Sequence, residues 1–399
     1  MEDRKTVLLG ITGGIAAYKS AYVASGLRKK GYDVHVVMTE NAAEFITPLT
    51  FETLTGNRCT VDMFDRNFEY DVKHISLAKA ADLVLIAPAT ANTIAKLAHG
   101  IADNMLTTTV LACTCPKIIA PAMNTAMFDN PATQDNLEIL KDYGFEVIEP
   151  DEGLLACGDE GKGKMPEPDY LIACVEHAIA SEKDMTGLKV LVTAGPTQES
   201  IDPVRYITNH SSGKMGYALA RMAARRGADV TLVSGVTALP PEPFVENVSV
   251  VSAEDMFEAV TSRAEEMDIV IKAAAVADFR PSSVSARKIK KKDISDAGIQ
   301  LERTHDILAW LGEHRREGQF LCGFAMETED LVENAKEKLT SKNVNLICAN
   351  SLSTRGAGFA GDTNIVTLIT KERSKVLPML SKEETSDRIL DEIMKFRSK

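Results

Sequence analysis

Asn209-His-Ser-Ser-Gly-Lys-Met-Gly216 follows an apolar strand pattern, Lys189-Val-Leu-Val-Thr193, and runs into a helical pattern over residues 213–226. A strand that breaks into a Gly- and Ser-rich loop before a helix leaves backbone N–H groups unpaired at the start of that helix. Those groups and the helix dipole attract anions such as phosphate. The stretch therefore predicts a strand, an anion-binding turn and a helix in the second half of the chain.

Short apolar runs that alternate with helical periodicity extend on both sides of this turn. All-apolar runs of this length indicate parallel strands that are buried on both faces of a sheet. In the first half we predict a helix over residues 14–30 and strands over residues 5–11, 35–38, 82–87 and 117–120. In the second half we predict strands over residues 189–193, 229–233 and 268–274, and a final amphipathic helix over residues 383–395.

The pattern restarts near Gly187 after a polar segment, residues 181–187, which we interpret as a linker. At 399 residues the chain is long enough for two domains with separate cores. We therefore predict an α/β protein of two tandem doubly wound parallel-sheet domains, residues 1–182 and 187–399. The first domain is expected to be flavodoxin-like or Rossmann-like, and the second Rossmann-like.

Composition and charge narrow the class of function. The formal net charge of −12 argues against a nucleic-acid-binding protein. We find no signal peptide pattern and no apolar stretch long enough to span a membrane, so we expect no membrane partner. The seven cysteines are scattered, and Cys113-Thr-Cys115 has no second pair at metal-binding spacing. Reduced thiols in a cytoplasmic protein are therefore expected.

A second element strengthens the signal of the opening stretch. Asp202-Pro-Val-Arg205 followed by the segment over residues 209–216 is long and specific. It resembles phosphopantothenate–cysteine ligases, which form the C-terminal half of bifunctional coenzyme A biosynthesis proteins. The resemblance implies that a nucleoside triphosphate activates 4′-phosphopantothenate as an acyl-nucleotide, which L-cysteine converts to an amide. Bifunctional members use CTP and eukaryotic-type ligases can use ATP. The tandem arrangement favours CTP, but the residues alone do not distinguish the two bases.

The same resemblance assigns residues to this reaction. Asn209 matches the residue that converts the acyl-nucleotide to the amide. Lys288 matches the catalytic lysine of a basic run, although the extra Lys292 also permits a register shifted by one residue. Asp278 is the expected ligand of Mg²⁺ or Mn²⁺, directly or through water. The CTP-binding residues that the resemblance implies are Lys272, Ala273, Ala274, Asp278, Lys288, Thr304, His305, Asp306, Ile307, Phe324, Lys338 and Lys342.

This set includes one departure from the family pattern and two structural predictions. Thr304-His305 stands where the family usually has Asn-Pro. Residues 323–328 are expected to form a loop in which Phe324 faces the base. Lys338 and Lys342 are four residues apart, which predicts that they share one face of a helix.

The first half carries its own turn after its first strand, Thr12-Gly-Gly-Ile-Ala-Ala-Tyr-Lys19. Its backbone N–H groups suit a phosphate monoester such as that of FMN, although an ordinary tight turn has the same pattern. The lack of a Gly-x-Gly-x-x-Gly fingerprint disfavours NAD. Ala87-Pro-Ala-Thr-Ala-Asn-Thr93 follows another strand, at the sheet edge where such folds bind ligands.

Three further clusters carry a side chain suited to catalysis: Lys73-His-Ile-Ser-Leu77, Pro121-Ala-Met-Asn-Thr-Ala-Met127 and Leu155-Ala-Cys-Gly-Asp-Glu-Gly-Lys-Gly-Lys-Met165. Together they resemble FMN-dependent cysteine decarboxylases over residues 5–180. The resemblance implies that His74 is the base of the oxidative half-reaction and that Asn124 holds the substrate carboxylate. It implies that Cys157 is the proton donor of the reductive half-reaction, on a flap. The FMN-binding residues it implies are Thr12, Gly13, Gly14, Ile15, Thr39, Ala87, Pro88, Ala89, Thr90, Asn92 and Met123.

The two resemblances together predict one bifunctional enzyme. It joins 4′-phosphopantothenate to L-cysteine and then decarboxylates the product to 4′-phosphopantetheine. Family members build the FMN site at a trimer interface, so we expect a homo-oligomer with trimeric contacts through the first domain and dimeric contacts through the second.

Two alternatives concern the first half. It would be a non-catalytic flavoprotein-fold binding module if it lacked the catalytic side chains, but His74, Asn124 and Cys157 are all present. A flavin-dependent reductase is the other alternative, and the missing dinucleotide fingerprint argues against it.

Overall fold

The structure is a computed structural model that describes residues 4–64, 72–156, 158–180, 183–290, 298–327, 331–351, 361 and 363–397. The chain folds into two compact units, Met1–Ser181 and Glu182–Lys399. Each unit has its own parallel sheet and its own hydrophobic core. The predicted fold class is therefore confirmed for both halves.

The first unit is built on a five-stranded sheet within its described residues. The strands are β1 Thr6–Ile11, β2 Asp33–Met38, β3 Leu83–Ala89, β4 Lys117–Pro121 and β5 Phe145–Val147. Their order is β2-β1-β3-β4-β5, and all neighbours are parallel. This is the strand order of flavodoxin-like folds, so it decides between the two predicted alternatives.

Helices cover both faces of this sheet. They are α1 Ala17–Lys29, α2 Glu40–Ala43, α3 Pro48–Thr55, α4 Lys73–Ala80, α5 Ala91–Ala98, α6 Met105–Ala112, α7 Thr125–Phe128, α8 Pro131–Asp142 and α9 Pro168–Ile179. Leu9 of β1 packs in a cluster with Leu27 of α1, while the adjacent Leu8 packs in a second cluster with Ile94 of α5. Alternate side chains of a strand point to opposite faces, so both faces need a helical layer. Helix α1 begins later than predicted because residues 12–16 form the turn.

An antiparallel hairpin, β6 Asp151–Leu154 and β7 Glu160–Lys164, follows this sheet. The hairpin lies directly against the segment after β4, since Met123 N donates to Gly163 O at 3.0 Å. A Cβ on Gly163 would lie 2.1 Å from the carbonyl oxygen of Met123. Gly163 also has a φ of +141°, which disfavours other residues. Glycine at this position therefore lets the hairpin dock beside Asn124.

The second unit has a larger sheet and fourteen described strands in all. Its strands are β8 Lys189–Ala194, β9 Gln198–Ser200, β10 Tyr206–Thr208, β11 Asp229–Ser234, β12 Glu246–Ser249, β13 Ile269–Lys272, β14 Phe279–Pro281, β15 Leu301–Arg303, β16 Phe320–Glu327, β17 Leu346–Ser351, β18 Thr363–Asn364, β19 Val366–Ile369, β20 Ser374–Val376 and β21 Leu380–Ser381. Among the described strands, eight form one sheet of order β12-β11-β8-β13-β16-β17-β19-β20. The six strands from β12 to β17 are parallel and have the 3-2-1-4-5-6 order of a Rossmann fold. Strands β19 and β20 extend the sheet in antiparallel orientation.

Five helices are described in the second unit: α10 Lys214–Arg225, α11 Ala253–Ala264, α12 Ile307–Glu313, α13 Leu331–Ser341 and α14 Lys382–Arg397. Helix α10 lies close to β8 because Gly216 has no side chain, and a Cβ there would lie 2.5 Å from Ala194 Cβ. Across the ranges that the structure describes, no helix is long and apolar enough to cross a membrane.

Residues 183–187, predicted as part of a linker, are folded onto the second unit. Met185 is fully buried in its core, and its N–H donates to Arg226 O at 3.0 Å. The Arg226 guanidinium donates to Asp184 Oδ1 (2.8 Å), to Asp387 Oδ1 (3.2 Å) and to Asp391 Oδ1 (2.9 Å), the last two on α14. This part of the linker prediction was wrong because one apolar residue and one ion-pair partner are enough to anchor a polar segment.

We predict that Arg226→Met lowers the free energy of unfolding of the second unit by about 2 kcal/mol. The arginine side chain is 8% exposed, but its carboxylate partners are 31–46% exposed, so the loss is smaller than for a fully buried ion pair. Urea unfolding followed by circular dichroism measures this difference. Arg388→Met, which removes an arginine that is 61% exposed on α14, is the matched control and should change stability by less than about 0.5 kcal/mol.

The same variant should show a defined pH dependence. The hydrogen bond from Arg226 holds the pKa of Asp184 below its usual value. A carboxyl group whose pKa falls on folding adds stability above its unfolded pKa, and that stability is lost as the pH falls through the folded pKa. The difference between wild type and Arg226→Met should therefore shrink below about pH 4. A difference that stays constant with pH would contradict this account.

Candidate functional site

A cavity of about 420 Å³ opens at the carboxyl ends of β1, β3 and β4 in the first unit. The strand order reverses between β1 and β3, and ligands of open α/β sheets bind at such points. The cavity lining includes residues from the turns after all three strands and from the hairpin. Six predicted residues meet here: Gly13, Gly14, Ile15, Thr90, Met123 and Asn124.

The turn after β1 fits a phosphate group. Helix α1 starts at Ala17 without a capping side chain, and the N–H groups of an uncapped first turn can bind an anion. A Cβ on Gly13 would lie 2.5 Å from Asn41 Cβ, so glycine permits close packing there. A Cβ on Gly14 would meet only Thr90, at 3.8 Å, so this side of the turn is open. The residues present therefore fit the phosphate end of FMN.

Four of the predicted FMN-binding residues support the cavity from beneath it. Thr12 Oγ1 donates to Pro88 O at 2.8 Å and accepts from Thr90 N at 2.9 Å. Thr12, Ala87, Pro88 and Ala89 are all buried. These residues join the turns after β1 and β3, which places Thr90 at the cavity wall.

Asn124 is held in one orientation. It is the N-cap of α7, and its Oδ1 accepts a hydrogen bond from Ala126 N at 2.9 Å. Its Nδ2 donates to Asp159 Oδ2 of the hairpin at 2.7 Å. The amide nitrogen is therefore presented as a donor to carboxylates, which is the chemistry predicted for Asn124.

Three other predicted residues, His74, Thr39 and Asn92, do not line this cavity. His74 is half-buried on α4. Thr39 caps α2, with Oγ1 accepting from Ala42 N at 3.2 Å, and Asn92 is exposed in the first turn of α5. Cys157 lies outside the residues that the structure describes, so its role stays a prediction.

Lys19 lines the same cavity but was not predicted as a site residue. Its side chain is only 9% exposed, and Nζ donates to Met165 O at 3.1 Å and to Glu167 Oε1 at 2.9 Å. It therefore ties α1 to the segment that leaves the hairpin. The sequence signal was its place in the turn motif, but a helical lysine usually has a solvated amine, so it did not stand out.

A second cavity, of about 370 Å³, lies at the carboxyl ends of β13 and β16 in the second unit. Most of the residues predicted to bind CTP meet in its lining: Lys272, Asp278, Thr304, His305, Asp306, Ile307, Phe324, Lys338 and Lys342. Ala273 and Ala274 follow β13 directly but do not line the cavity, and Ala274 is buried, with its N–H donating to Thr193 Oγ1 at 3.1 Å. Residues separated by up to 70 positions in the sequence thus form one polar pocket.

The charges in this cavity are coupled. Burial at the end of β13 lowers the pKa of Lys272, and the positive charge of Lys338 lowers it further. Burial alone would raise the pKa of Asp306, but hydrogen bonds from Lys342 Nζ (2.7 Å) and Ala309 N (2.9 Å) outweigh it and lower that pKa. A polyanion would relieve the repulsion between the ammonium groups, so the cavity suits phosphate chains.

One structural detail of the predicted nucleotide site was wrong. Residues 323–327 belong to strand β16 rather than to a loop, because the apolar run from Phe320 continues through them. Lys342 lies one residue beyond the end of α13, but its N–H still donates to Lys338 O at 3.0 Å, which is the i to i−4 hydrogen bond of a helix. Both lysines line the same cavity, as their spacing predicts.

Asn209 and Lys288 lie outside this cavity lining. Asn209 Nδ2 donates to Ala275 O at 3.1 Å, three residues after the end of β13. The basic run is tethered next to Lys288, since Ile289 N donates to Asp202 Oδ2 at 3.2 Å and Arg205 Nη2 donates to Ile289 O at 3.1 Å.

The tether depends on one ion pair. Asp202 has a fully buried side chain and is hydrogen-bonded by the Arg205 guanidinium, which holds the pKa of Asp202 well below its usual range. Lys288 is exposed, and Lys292 lies outside the described residues. The Asp202–Arg205 pair is thus hydrogen-bonded to the backbone of the lysine loop on both sides of the Ile289 peptide.

No group of three or more His, Cys, Asp or Glu side chains that could hold a metal ion occurs in the part of the chain that the structure describes. Asp278 lines the cavity as a single carboxylate. Mg²⁺ is commonly held by one or two carboxylates together with substrate phosphates and water. Asp278 therefore fits a Mg²⁺ ion that arrives with a nucleotide rather than an ion held by a protein cage.

Two domain families match this chain. Residues 1–180 match the flavoprotein family, and residues 185–396 match the family described as DNA/pantothenate metabolism flavoprotein, C-terminal domain. The chain thus combines a flavoprotein-family domain with a domain of the family that forms the C-terminal part of DNA/pantothenate metabolism flavoproteins.

Full-length relatives identify the combination. The coenzyme A biosynthesis bifunctional protein CoaBC of Bacillus subtilis (strain 168) is 49% identical over 397 residues, covering 98% of this chain and 97% of that protein. The protein of the same name from Escherichia coli (strain K12) is 43% identical over 392 residues, with coverage of 98% and 97%. The chain belongs to the family of coenzyme A biosynthesis bifunctional proteins, which are enzymes. The crystal structure of a CoaBC C-terminal domain is 46% identical and covers 54% of this chain and 98% of its own, with a TM-score of 0.46.

We predict that Lys338→Met raises the pKa of Lys272, because it removes a positive charge that lowers that pKa. Competitive acetylation of the amines across a pH series, read by mass spectrometry, gives the pH of half-modification of Lys272. That pH should move upward in Lys338→Met. Lys336→Met, which removes an exposed lysine from the same helix, should leave it unchanged. An unmoved half-modification pH in Lys338→Met would show that the two amines do not interact.

Proposed function

We propose that this enzyme joins 4′-phosphopantothenate to L-cysteine with CTP in its second unit and decarboxylates the product to 4′-phosphopantetheine with FMN in its first. The observation that carries the proposal is the pair of cavities. Each cavity lies at the carboxyl edge of its own sheet and collects residues that are scattered in the sequence. The family membership of the whole chain supports the same assignment.

The second cavity supports acyl activation. Lys272, Lys338 and Lys342 place three ammonium groups around a space that also contains Asp278. Such a site stabilises triphosphate charge and leaves one carboxylate to share a Mg²⁺ ion with the phosphates. The carboxylate oxygen of 4′-phosphopantothenate attacks the α-phosphorus of CTP and pyrophosphate leaves. The cysteine amine then attacks the acyl carbon and releases CMP.

Asn209 and Lys288 are proposed to act at the acyl-nucleotide. The contact of Asn209 with Ala275 O places its amide beside the segment that leads from β13 to Asp278. The tether through Ile289 keeps the Lys288 loop near the Asp202–Arg205 pair. A cationic side chain there would stabilise the acyl phosphate, and an amide would hold the reacting carbonyl in place.

The first cavity supports decarboxylation. FMN, when bound, supplies the two-electron oxidation of the substrate thiol and the return of those electrons. The turn with Gly13 and Gly14 would hold its phosphate, and Asn124 would bind the substrate carboxylate through Nδ2. The hairpin covers this end of the cavity and would exclude water while CO₂ leaves. His74 is proposed as the base and Cys157 as the proton donor.

The position of His74 away from the cavity of its own chain supports the proposal of a homo-oligomer. Aromatic side chains of α1, Tyr18 and Tyr22, are 53% and 66% exposed, and Leu49 on α3 is 67% exposed, which suits an intersubunit surface. We propose trimeric contacts for the first unit and dimeric contacts for the second. The six cysteines in the described ranges are free thiols, which supports a cytoplasmic location.

A mass-spectrometric assay tests the whole proposal. The FMN-loaded protein is incubated with 4′-phosphopantothenate, L-cysteine, Mg²⁺ and either CTP or ATP. We expect 4′-phosphopantetheine and CMP with CTP, and little product with ATP. Accumulation of phosphopantothenoylcysteine would show a ligase with an inactive first half. No product with either nucleotide would overturn the proposal.

Two variants should separate the two activities in one chain. Gly163→Ala places a Cβ 2.1 Å from Met123 O and should displace the hairpin, so we expect decarboxylation to fall about a hundredfold with normal amide formation. Gly153→Ala is its control, because Gly153 has a similar φ of +153° in the same hairpin but no atom near its Cβ position. Asn209→Asp should leave decarboxylation intact and accumulate the acyl-nucleotide. Equal losses of both activities in either variant would argue for misfolding instead.

A further inference from the structure

Asn124 can present only one chemical group to the cavity. Its Oδ1 is used as the cap of α7, where it accepts from Ala126 N at 2.9 Å. The amide cannot rotate by 180° without losing that cap and pointing its NH₂ group at a backbone N–H. Nδ2 is therefore fixed as the donor, and a carboxylate is the partner with which such a donor forms a strong hydrogen bond.

A protein carboxylate already occupies that donor. Asp159 Oδ2 accepts from Asn124 Nδ2 at 2.7 Å, a distance typical of a charge-assisted hydrogen bond. Asp159 is positioned by the hairpin, since Leu155 N donates to Asp159 O at 2.8 Å and Gly158 N donates to Leu155 O at 2.9 Å.

The hairpin itself is fixed against the same loop. Gly163 O accepts from Met123 N at 3.0 Å. A Cβ on Gly161 would lie 2.8 Å from Thr125 Oγ1, so at this position too the β7 backbone runs close to the loop. The chain thus brings an acidic side chain to the amide through two closely packed segments that meet on either side of Asn124. The contact follows from the fold and is not a chance encounter of two surface groups.

We propose that Asp159 is a positioning residue that holds the carboxylate-binding group of Asn124 when substrate is absent and exchanges with the substrate carboxylate when substrate binds. This inference rests on the proposed function, in which Asn124 binds that carboxylate. Before substrate binds, Asp159 keeps the amide of Asn124 oriented, and the hydrogen bond from Nδ2 stabilises the negative charge of Asp159. On binding, one carboxylate replaces another, so the number of anions on Nδ2 stays the same.

The exchange has a consequence for the direction of the reaction. Nδ2 has two N–H groups, but a second carboxylate beside Asp159 would be repelled by its negative charge. A ligand with a carboxylate therefore competes with Asp159 at Nδ2, whereas a ligand without one leaves that hydrogen bond in place. Once CO₂ has left, Asp159 can return to Asn124. The Asp159 side chain therefore weakens the binding of the carboxylated substrate relative to the decarboxylated product.

The alternative is that Asp159 only docks the hairpin. Removal of its charge would then loosen the hairpin and weaken all ligands of the cavity by a similar factor. The two roles differ in the ratio of affinities for carboxylated and decarboxylated ligands, which docking alone does not change.

Two dead-end analogues measure that ratio on the full-length, FMN-loaded protein. In one, L-alanine replaces the L-cysteine of the substrate, which keeps the carboxylate but removes the thiol that would be oxidised. In the other, ethylamine replaces L-cysteine, which removes both groups. Inhibition constants against decarboxylation of phosphopantothenoylcysteine, without nucleotide, report binding at the first cavity and not at the ligase site. For the Asn124→Ala variants, whose decarboxylation should be impaired, dissociation constants read from the change in flavin fluorescence take their place.

For Asp159→Asn we expect the inhibition constant of the alanine analogue to fall about tenfold and that of the ethylamine analogue to change less than about twofold. Asp135→Asn, which neutralises an exposed aspartate of α8, is the matched control and should change neither. In an Asn124→Ala background, Asp159→Asn should no longer alter the ratio.

Equal weakening of both analogues in Asp159→Asn, or an unchanged ratio, would overturn the exchange and leave hairpin docking as the role of Asp159. The Asn124 assignment is tested separately by Asn124→Ala alone. If that variant binds both analogues with the wild-type ratio, Asn124 does not hold the carboxylate, and the proposed site chemistry fails together with the exchange.

Discussion

The strands of both central sheets are apolar on both faces, so each sheet must be covered by helices on both sides. The chain satisfies this requirement by building outward in two directions from a central strand, β1 in the first unit and β8 in the second. The loops that leave the strands on either side of that central position diverge to opposite faces, and a crevice remains between them. The cavity of the first unit lies at the reversal point of its sheet. The cavity of the second unit lies next to the reversal point of its own sheet, at the ends of β13 and β16. The burial of apolar strands thus determines where polar chemistry can be placed.

Close approaches of backbone segments shape the first cavity. The hairpin can lie against Met123 only because Gly163 has no side chain, and the turn after β1 can pack on Asn41 only because of Gly13. These contacts hold Asn124 between its helix cap and the carboxylate of Asp159. Lys19 adds a buried tie between α1 and the end of the hairpin. The arrangement gives a small apolar cavity a few oriented polar groups, which is the usual composition of a cofactor site.

The second unit uses charge in a different way. Its cavity concentrates lysines at the ends of two buried strands, where desolvation and mutual repulsion lower the pKa of Lys272. The polyphosphate ligand proposed for this cavity would offset this unfavourable arrangement. The Asp202–Arg205 pair is placed apart from this cavity and tethers the basic loop through its backbone. The two roles, charge at the cavity and control of the loop, are thus assigned to separate parts of the unit.

The sequence by itself determined the fold class, six residues of the first cavity lining and most of the second cavity lining. Apolar runs, glycine turns and motifs can be identified from the sequence because they depend on short-range order. Nine of the residues predicted in this way to bind the nucleotide line one cavity. Other features were outside its reach because they depend on contacts between distant segments. Four features are of this kind: the burial of Met185, the strand conformation of residues 323–327, the burial of Lys19, and the position of His74 away from the cavity of its own unit.

Only the tertiary structure decided between a flavodoxin-like and a Rossmann-like first unit, because strand order depends on where each crossover helix packs. Only the tertiary structure brought Asp159 to Asn124. A motif shows which side chains are available, but the side chains that share a hydrogen bond are selected by the packing of the backbone between them.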